Sequence, residues 1–153
     1  YHWATPAGKR GKAFSFPRPM LNQKNYNFSF SGLKTAVLYL LKKLGKIDEK
    51  TAADICASFQ QAVIDVLVKK TIRAAKEYKT KSILLSGGVS ANKLLRKILQ
   101  KETRKLKLLY SQPNLEYTGD NAAMIALTAY CKNKVNKKTK KIVANPNLKI
   151  KNW

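Results

Sequence analysis

Two adjacent glycines between an apolar run and the start of a helix are the residues with the clearest potential for ligand chemistry. Residues 82–86 read SILLS, which predicts a buried strand, and Gly87 and Gly88 follow it directly. Glycine lets a backbone adopt positive φ and approach a ligand closely. Asn92, at the predicted helix start, carries both a donor and an acceptor, which suit a ribose or a base edge.

This glycine segment predicts a nucleotide-facing turn at the carboxyl end of a strand, the place where open α/β sheets bind ligands. The helix start would add free N–H groups and a positive dipole end. The alternative is a plain tight turn in which Asn92 only caps the helix. Neither of the phosphate-binding patterns GxxxxGK[ST] and GxGxxG occurs in this segment.

A second candidate is the carboxylate of Asp120, in the segment YTGDNAAM at residues 117–124. A carboxylate suits a metal ion such as Zn, Fe or Mg. The alternative is a helix N-cap supplied by Thr118 or Asp120. One carboxylate does not make a metal site, and the single histidine of the sequence is His2, in a polar segment near the start. A metal site complete within this chain is therefore not expected.

A third candidate is the segment NFSFSGLKT at residues 27–35, which places Lys34 where it could contact a phosphate. The alternative is that the segment is only a strand, a turn and a helix start. Ser-His-Asp and Cys-His catalysis have no support, because the core segments contain no histidine base. The 8 acidic residues are scattered, so paired carboxylates are not indicated either.

The charge balance points to a polyanionic partner. The sequence of 153 residues has 31 Lys plus Arg against 8 Asp plus Glu, a formal net charge of +23. Such a surface gains free energy by neutralising phosphates, although the Lys- and Asn-rich composition of an AT-rich genome would give the same excess. Lysine is a point charge without the forked geometry of arginine, so contact with a nucleic-acid backbone is expected rather than base readout.

Other bulk features favour a globular protein of the reducing cytoplasm. Apolar residues make up 44% of the chain, enough for a core. The two cysteines, Cys56 and Cys131, form no CxxC pair, so a disulfide framework is not indicated. No apolar run approaches the roughly 20 residues of a membrane span, and residues 1–12 lack the core of a signal peptide. Because the first residue is not Met, we expect the chain to begin inside a longer protein.

The chain alternates helical and strand patterns, which predicts an α/β layered domain with parallel neighbours among the later strands. We expect an irregular lead-in over 1–26, a nucleotide-binding domain over 27–131 and a basic tail over 132–153. The predicted helices cover 33–44, 49–78, 92–103 and 120–131, and the predicted strands cover 27–30, 82–86 and 106–110.

Apolar residues at three- and four-residue steps predict the buried helix faces. The longest helix should begin at an N-cap, Asp48. The predicted buried residues are Leu33, Val37, Leu40, Leu41 and Leu44 in the first helix, Ile55, Phe59, Val63, Val66 and Leu67 in the second, and Leu94, Leu95, Ile98 and Leu99 in the third.

Ordered motifs over about residues 11–150 resemble one enzyme family. The motifs are FPRPM at 16–20, NFSFSGLKTAV at 27–37, ASFQQAV at 57–63, SGGVSANKLLR at 86–96, TGDNAAMIA at 118–126 and NPNL at 145–148. This order is similar to that of the tRNA adenosine threonylcarbamoyltransferases, a family once called O-sialoglycoprotein endopeptidases or glycoproteases. No residue here supports the protease activity of the older name.

The resemblance implies an actin-like ATPase (ASKHA) fold, with two α/β domains and a nucleotide between them. It implies transfer of a threonylcarbamoyl group from threonylcarbamoyl-AMP to the adenosine that follows the tRNA anticodon. Asn92 would contact the nucleotide, an adenine nucleotide or threonylcarbamoyl-AMP, and Gly87 and Gly88 would line it. One divalent metal, Fe or Zn, would be held by an HxxxH pair and by Asp120. The expected partners are tRNA, a paralogous actin-like subunit and a small ATPase.

Several family features are missing from this sequence. The HxxxH pair, the Tyr-Pro-Gly-Gly-Pro pattern and the phosphate-binding loop of the first domain do not occur in it. We therefore expect a C-terminal portion that is inactive in isolation. The alternative function is a non-catalytic half that binds tRNA or a nucleotide in an actin-like ATPase or sugar-kinase-type protein.

Overall fold

The computed structural model describes residues 12–135, and the side chains of residues 12–132. His2, the first part of the predicted lead-in, the NPNL motif at 145–148 and the predicted basic tail from residue 136 onward lie outside the described residues.

The described residues form four α-helices, two short strands and two 3-10 turns. They are, in chain order, α1 (Ser31–Leu44), α2 (Glu49–Glu77), β1 (Ser82–Leu84), a 3-10 turn (Gly88–Ala91), α3 (Lys93–Lys105), β2 (Leu109–Ser111), a 3-10 turn (Leu115–Tyr117) and α4 (Ala122–Val135). Each of the four predicted helices is present, with ends shifted by up to a turn. The two later predicted strands are present but shorter than expected.

β1 and β2 pair in parallel, as predicted, with Ser82 opposite Leu109 and Leu84 opposite Ser111. The N–H of Leu85 donates to the carbonyl of Ser111 at 2.9 Å and extends the pairing by one bond. α3 connects the two strands and packs against α2 and β2. This arrangement confirms the α/β class, with a small parallel sheet covered by helices.

The predicted strand at residues 27–30 is wrong, because this segment does not join the two-stranded sheet of the described residues and a side chain of α2 occupies the Asn27 carbonyl. The Lys70 ammonium donates to the carbonyls of Asn25 at 3.2 Å and Asn27 at 2.6 Å. The Arg73 guanidinium donates to the Asn25 carbonyl at 2.7 Å. Lys70 is only 1% exposed, and this burial, followed by the charge of Arg73, lowers its pKa. The segment therefore lies against α2 as irregular chain instead of pairing in a sheet.

Two apolar clusters form the core, and α2 contributes to both. One contains Phe16, Leu33, Ile55 and Ala62. The other lies between α2 and α3 and contains Ile64, Val68, Leu95 and Leu99. The predicted face of α3 is confirmed, since Leu94 and Ile98 pack against this second cluster.

The predicted faces of α1 and α2 are confirmed only in part. Ile55 and Val66 are buried and Val63 is partly buried, but Phe59 is 38% exposed. Leu41 and Leu44 of α1 are exposed, because α1 turns only its Leu33 side toward the core. By length and composition alone α2 could cross a membrane, but 39% of its most apolar window is buried within this fold.

The chain divides into two compact units between Thr118 and Gly119. In the first unit, residues 13–26 contain no helix or strand. They are nevertheless attached to α2, since Phe16 is 5% exposed and Arg18 forms an ion pair with Asp65 at 2.8 Å. The second unit contains α4, whose apolar side chains Met124, Ile125 and Leu127 are exposed.

Candidate functional site: the glycine turn after strand β1

The turn that follows β1 uses glycine for backbone conformation and for open space. Gly87 has φ +83°, a left-handed conformation that strains other residues. A Cβ on Gly87 or on Gly88 would meet no atom within 4 Å. Gly88 has no positive φ either, so neither packing nor conformation explains its residue type. The exposed face of Gly88 is therefore free for a ligand to approach closely.

Asn92 caps α3, which is the structural alternative that the sequence left open. Its Oδ1 accepts from the N–H of Leu95 at 3.0 Å, and its Nδ2 donates to Oε1 of Gln60 at 2.8 Å. These bonds fix the amide on the partly buried rim of the turn. One N–H and one oxygen lone pair of the amide remain for a ligand, so the capping role and a nucleotide-binding role are compatible.

Ser90 and Arg96 are functional candidates to which the sequence analysis gave no role. Ser90 is fully buried, and its Oγ has no hydrogen-bond partner among the described residues. Nη2 of Arg96 is likewise a buried atom without a hydrogen-bond partner among the described residues. Nε of the same side chain donates to the Ser90 carbonyl. Buried polar atoms without partners are costly, so they indicate a missing ligand or water. Arg96 lies at the end of the SGGVSANKLLR motif, but only burial and pairing single it out.

A cavity of about 700 Å3 opens beside this turn. Its lining is mainly apolar, with the amides of Asn92 and Gln60 among its few polar groups. Its other members are Phe30, Cys56, Phe59, Val63, Ile64, Leu67, Val89 and Leu95. Ligand pockets are commonly apolar with a few placed polar groups, and about 300–1,000 Å3 is their usual size. The cavity therefore accounts for the exposure of Phe59 as part of a pocket wall.

Asp120 lies in the second unit, is exposed and precedes α4. The cap of α4 is Asn121, whose Oδ1 accepts from the Met124 N–H at 2.9 Å. Both predicted caps are wrong. The hydroxyl of Thr118 donates to the Leu115 carbonyl at 2.8 Å and does not accept from an N–H of α4. Asn121, and not Asp120, is the residue whose side chain caps the helix. The carboxylate of Asp120 is therefore not required to cap the helix.

The described residues do not form a metal site. No group of three or more His, Cys, Asp or Glu side chains is close enough to hold an ion within this part of the chain. A single exposed carboxylate at Asp120 does not match the donor set that Fe or Zn requires. Lys34 is exposed on the first turn of α1, and Cys56 and Cys131 are free thiols.

The fold and the turn together define an α/β unit with a glycine turn at the carboxyl end of a parallel strand. The sequence profile of the tRNA N6-adenosine threonylcarbamoyltransferase family matches residues 3–127. This match covers most of the sequence, and the chain belongs to that family.

Individual relatives agree with the family profile. A tRNA N6-adenosine threonylcarbamoyltransferase of Thermosipho africanus is 51% identical over 141 residues, covering 90% of this chain and 42% of the relative. The proteins of the same name from Thermosipho melanesiensis and Desulfotalea psychrophila are 51% and 50% identical, covering 78% and 79% of this chain and 36% of each relative. The chain thus spans about two fifths of the length of these relatives.

Proposed function

We propose that this chain is the nucleotide-facing, C-terminal portion of a tRNA N6-adenosine threonylcarbamoyltransferase. The complete protein would transfer the threonylcarbamoyl group of threonylcarbamoyl-AMP to the adenosine that follows the tRNA anticodon. The observation that carries this proposal is the glycine turn after β1, where Gly87 takes positive φ and two buried polar atoms lack partners. Both atoms are closed to solvent in the free turn, so we expect the turn to open when an adenine nucleotide binds and supplies acceptors for them.

Within this site each residue has a binding role. The backbone of Gly87 and Gly88 would lie against the ribose or phosphate, as at other glycine turns. The remaining N–H of Asn92 would donate to the nucleotide, and Arg96 would supply the positive charge for the phosphate. The apolar cavity beside Asn92 would receive the adenine ring.

We further propose that the chain supplies most of one domain of an actin-like ATPase fold. The small parallel sheet with covering helices supports this assignment. The metal of the complete enzyme would take Asp120 as one ligand, with its remaining ligands from outside the described residues. The proposed partners are tRNA, a paralogous actin-like subunit and a small ATPase, in the cytoplasm and without a membrane.

Binding of AMP to the isotope-labelled 153-residue chain tests the nucleotide site. We expect backbone NMR signals of Gly87, Gly88 and Asn92 to shift on addition of AMP. Ser90→Ala should weaken AMP about 2- to 10-fold, because it removes one hydrogen bond to the ligand, while thermal stability stays the same or rises.

Ser58→Ala is the matched control for the nucleotide site. Ser58 is 1% exposed, and its Oγ accepts from the Phe14 N–H at 3.1 Å. Its replacement should lower stability and leave AMP affinity unchanged, because this hydroxyl holds the lead-in and not the turn. Equal effects of both variants on AMP affinity, or AMP shifts confined to other regions, would overturn the assignment of the site.

Transfer activity is tested separately, by mass spectrometry of threonylcarbamoyladenosine in tRNA. We expect no product from this chain alone, and product when it is co-expressed with the unmatched portion of the Thermosipho africanus relative and the proposed partners. Product from the isolated chain would contradict the proposal that it is an incomplete enzyme. Binding of AMP without product in the complete mixture would favour the non-catalytic alternative.

A further inference from the structure

The two helix-to-strand turns of the first unit end in the same unusual way. After α2, the N–H of Thr80 donates to the Ala75 carbonyl at 3.0 Å, and Lys79 has φ +49°. After α3, the N–H of Leu108 donates to the Thr103 carbonyl at 3.0 Å, and Lys107 has φ +56°. Both are Schellman-type ends, in which the left-handed position strongly favours glycine. A lysine there is strained, so backbone geometry does not explain the residue type at these two positions.

These two turns are neighbours in space. Because Ser82 pairs with Leu109 and the Leu109 N–H donates to the Lys81 carbonyl at 3.1 Å, the two turns enter the sheet side by side. Lys79 and Lys107 therefore lie at the amino ends of adjacent strands. The glycine turn after β1 lies beyond the opposite, carboxyl end of the same sheet, so the two features are separate.

The surroundings of the two turns are basic, and the nearby carboxylates are engaged. The paired-turn patch consists of the exposed side chains of Lys76, Lys79, Lys81, Arg104 and Lys107. Glu77 accepts a hydrogen bond from the Tyr26 hydroxyl, and Glu102 pairs with Lys105 at 2.6 Å. Helix dipoles offset part of the repulsion, since both helices present their negative ends here. That effect does not require lysine at the two strained positions, because basic residues elsewhere in the last turn would interact with the helix dipole as well.

An aromatic ring stands beside the patch. Tyr78 is 69% exposed, and its ring centroid lies 5.8 Å from that of Tyr26. The ring borders a cavity of about 330 Å3 that is also lined by Phe28 and by the hydroxyl-bearing residues Thr80 and Ser82. Exposed aromatic rings beside lysines suit nucleic acids, because bases stack on the rings while phosphates meet the charges.

We propose that the paired-turn patch is an RNA-binding site that contacts two phosphates through Lys79 and Lys107 and stacks one unpaired base on Tyr78. The aromatic platform favours RNA over a membrane surface or a sulfated polysaccharide, which have no bases to stack. The site rests on the proposed function only in that the RNA is expected to be tRNA. Lysine at the glycine position then trades fold stability for phosphate contact.

The double variant Lys79→Gly/Lys107→Gly separates this role from a structural one. Glycine relieves the left-handed strain, so we expect the melting temperature of the 153-residue chain to rise by about 2–4 °C per site. At the same time, tRNA affinity should fall and the slope of log affinity against log salt should become shallower by about 2, one for each phosphate contact.

The variant Lys42→Gln/Lys43→Gln is the matched control, because it removes the same charge from the exposed end of α1. It should change the salt slope by less than half as much. Equal loss of tRNA affinity in the two double variants would show that only net charge matters and would overturn the proposal, whatever the result of the transfer assay.

The stacking contact is tested with Tyr78→Leu against Tyr39→Leu. Tyr39 is 65% exposed on α1 and is therefore matched in exposure. Tyr78→Leu should weaken tRNA at least about 5-fold, as expected for loss of one stacked base, with little change for heparin, whereas Tyr39→Leu should leave both affinities unchanged.

Cross-linking of 4-thiouridine-containing tRNA to the unmodified chain is an independent readout that needs no variant. The cross-linked peptide should contain Tyr78. Cross-links confined to other segments, or an equal loss of heparin and tRNA binding in Tyr78→Leu, would overturn the RNA-binding assignment. Because these measurements record binding and not transfer, they can fail while threonylcarbamoyladenosine is still formed.

Discussion

Asn92 combines a structural role with a proposed role in binding. Its side chain satisfies the first turn of α3 and fixes Gln60 of α2, and it also lies on the rim of the glycine turn. A residue with both roles cannot be tested by truncation alone, because the loss of the cap and the loss of a ligand contact would coincide.

Two substitutions of Asn92 separate these roles. Asn92→Ala should lower the free energy of unfolding by about 1 kcal/mol, because it removes the N-cap, and should also weaken AMP. Asn92→Asp keeps an N-cap and can accept a hydrogen bond from the amide of Gln60, so stability should be nearly unchanged. It should still weaken AMP, because the amide donor is gone and a negative charge faces the phosphate. Chemical denaturation and AMP titration give the two quantities, and unchanged AMP affinity in Asn92→Asp would refute a contact.

Only some residues of the candidate site can be predicted from the sequence. Gly87 and Asn92 can be identified as turn residues from residue type and spacing alone. Gly87 is identified by the backbone freedom of glycine, and Asn92 by its preference for the N-cap position of a helix. Ser90 and Arg96 are not recognisable in that way. Their significance comes from burial without a hydrogen-bond partner, which depends on the packing of α2, α3 and the turn together.

At the scale of elements, Lys70 explains the clearest failure of pattern reasoning. The alternation of polar and aromatic residues at 27–30 is typical of a strand. Period-two alternation does not reveal which groups will satisfy the carbonyls, however, and here a lysine from a helix more than forty positions later does so. The helices were predictable because their hydrogen bonds are local, whereas this interaction is long-range.

Asp48 gives a pH dependence at the start of α2. Hydrogen bonds from Thr51, first from its side chain and then from its backbone N–H, lower the pKa of the Asp48 carboxyl. A carboxyl with a lowered pKa in the folded state stabilises the fold above its unfolded-state pKa of about 3.9 and loses this effect as pH falls through the folded value. Asp48→Asn keeps a cap but does not titrate.

We therefore expect the melting temperature of the unmodified chain to exceed that of Asp48→Asn above about pH 5, and the difference to fade below about pH 4. Thermal unfolding followed by circular dichroism from pH 6 to pH 2.5 measures it. A difference that stays constant over this range would mean that the Asp48 charge does not stabilise α2.

At the scale of the whole molecule, a net charge of +23 on 153 residues opposes compaction. Few carboxylates are available to offset it, and those at Asp65 and Glu102 are already paired. The same surplus that would attract RNA therefore destabilises the free protein through self-repulsion.

Salt should consequently stabilise this chain. Raising NaCl from 0.1 M to 1 M shortens the Debye length from about 10 Å to 3 Å. We expect the melting temperature to rise by about 2–4 °C, the equivalent of about 1 kcal/mol. Sodium chloride is the suitable salt because sulfate also strengthens apolar burial. A fall in melting temperature would show that attractive ion pairs outweigh the repulsion.

The α/β class and the parallel pairing follow from the sequence, because strands separated by a helix favour this connection. The division after Thr118 does not, since the apolar pattern of α4 resembles that of any core helix. The exposure of Phe59 could not be predicted either, because an apolar residue in a pocket wall and one in the core give the same periodicity.

The ion pair between Arg18 and Asp65 joins residues 47 positions apart, and Gln61 holds the same carboxylate at 2.7 Å. By contrast, the unit from β1 through α3 to β2 is assembled from neighbours in the sequence. Closing the longer loop costs more chain entropy before any contact is gained. The segment around Arg18 contains no helix or strand, so we expect it to exchange its amide hydrogens before that unit and to be open to the proteases of the cell.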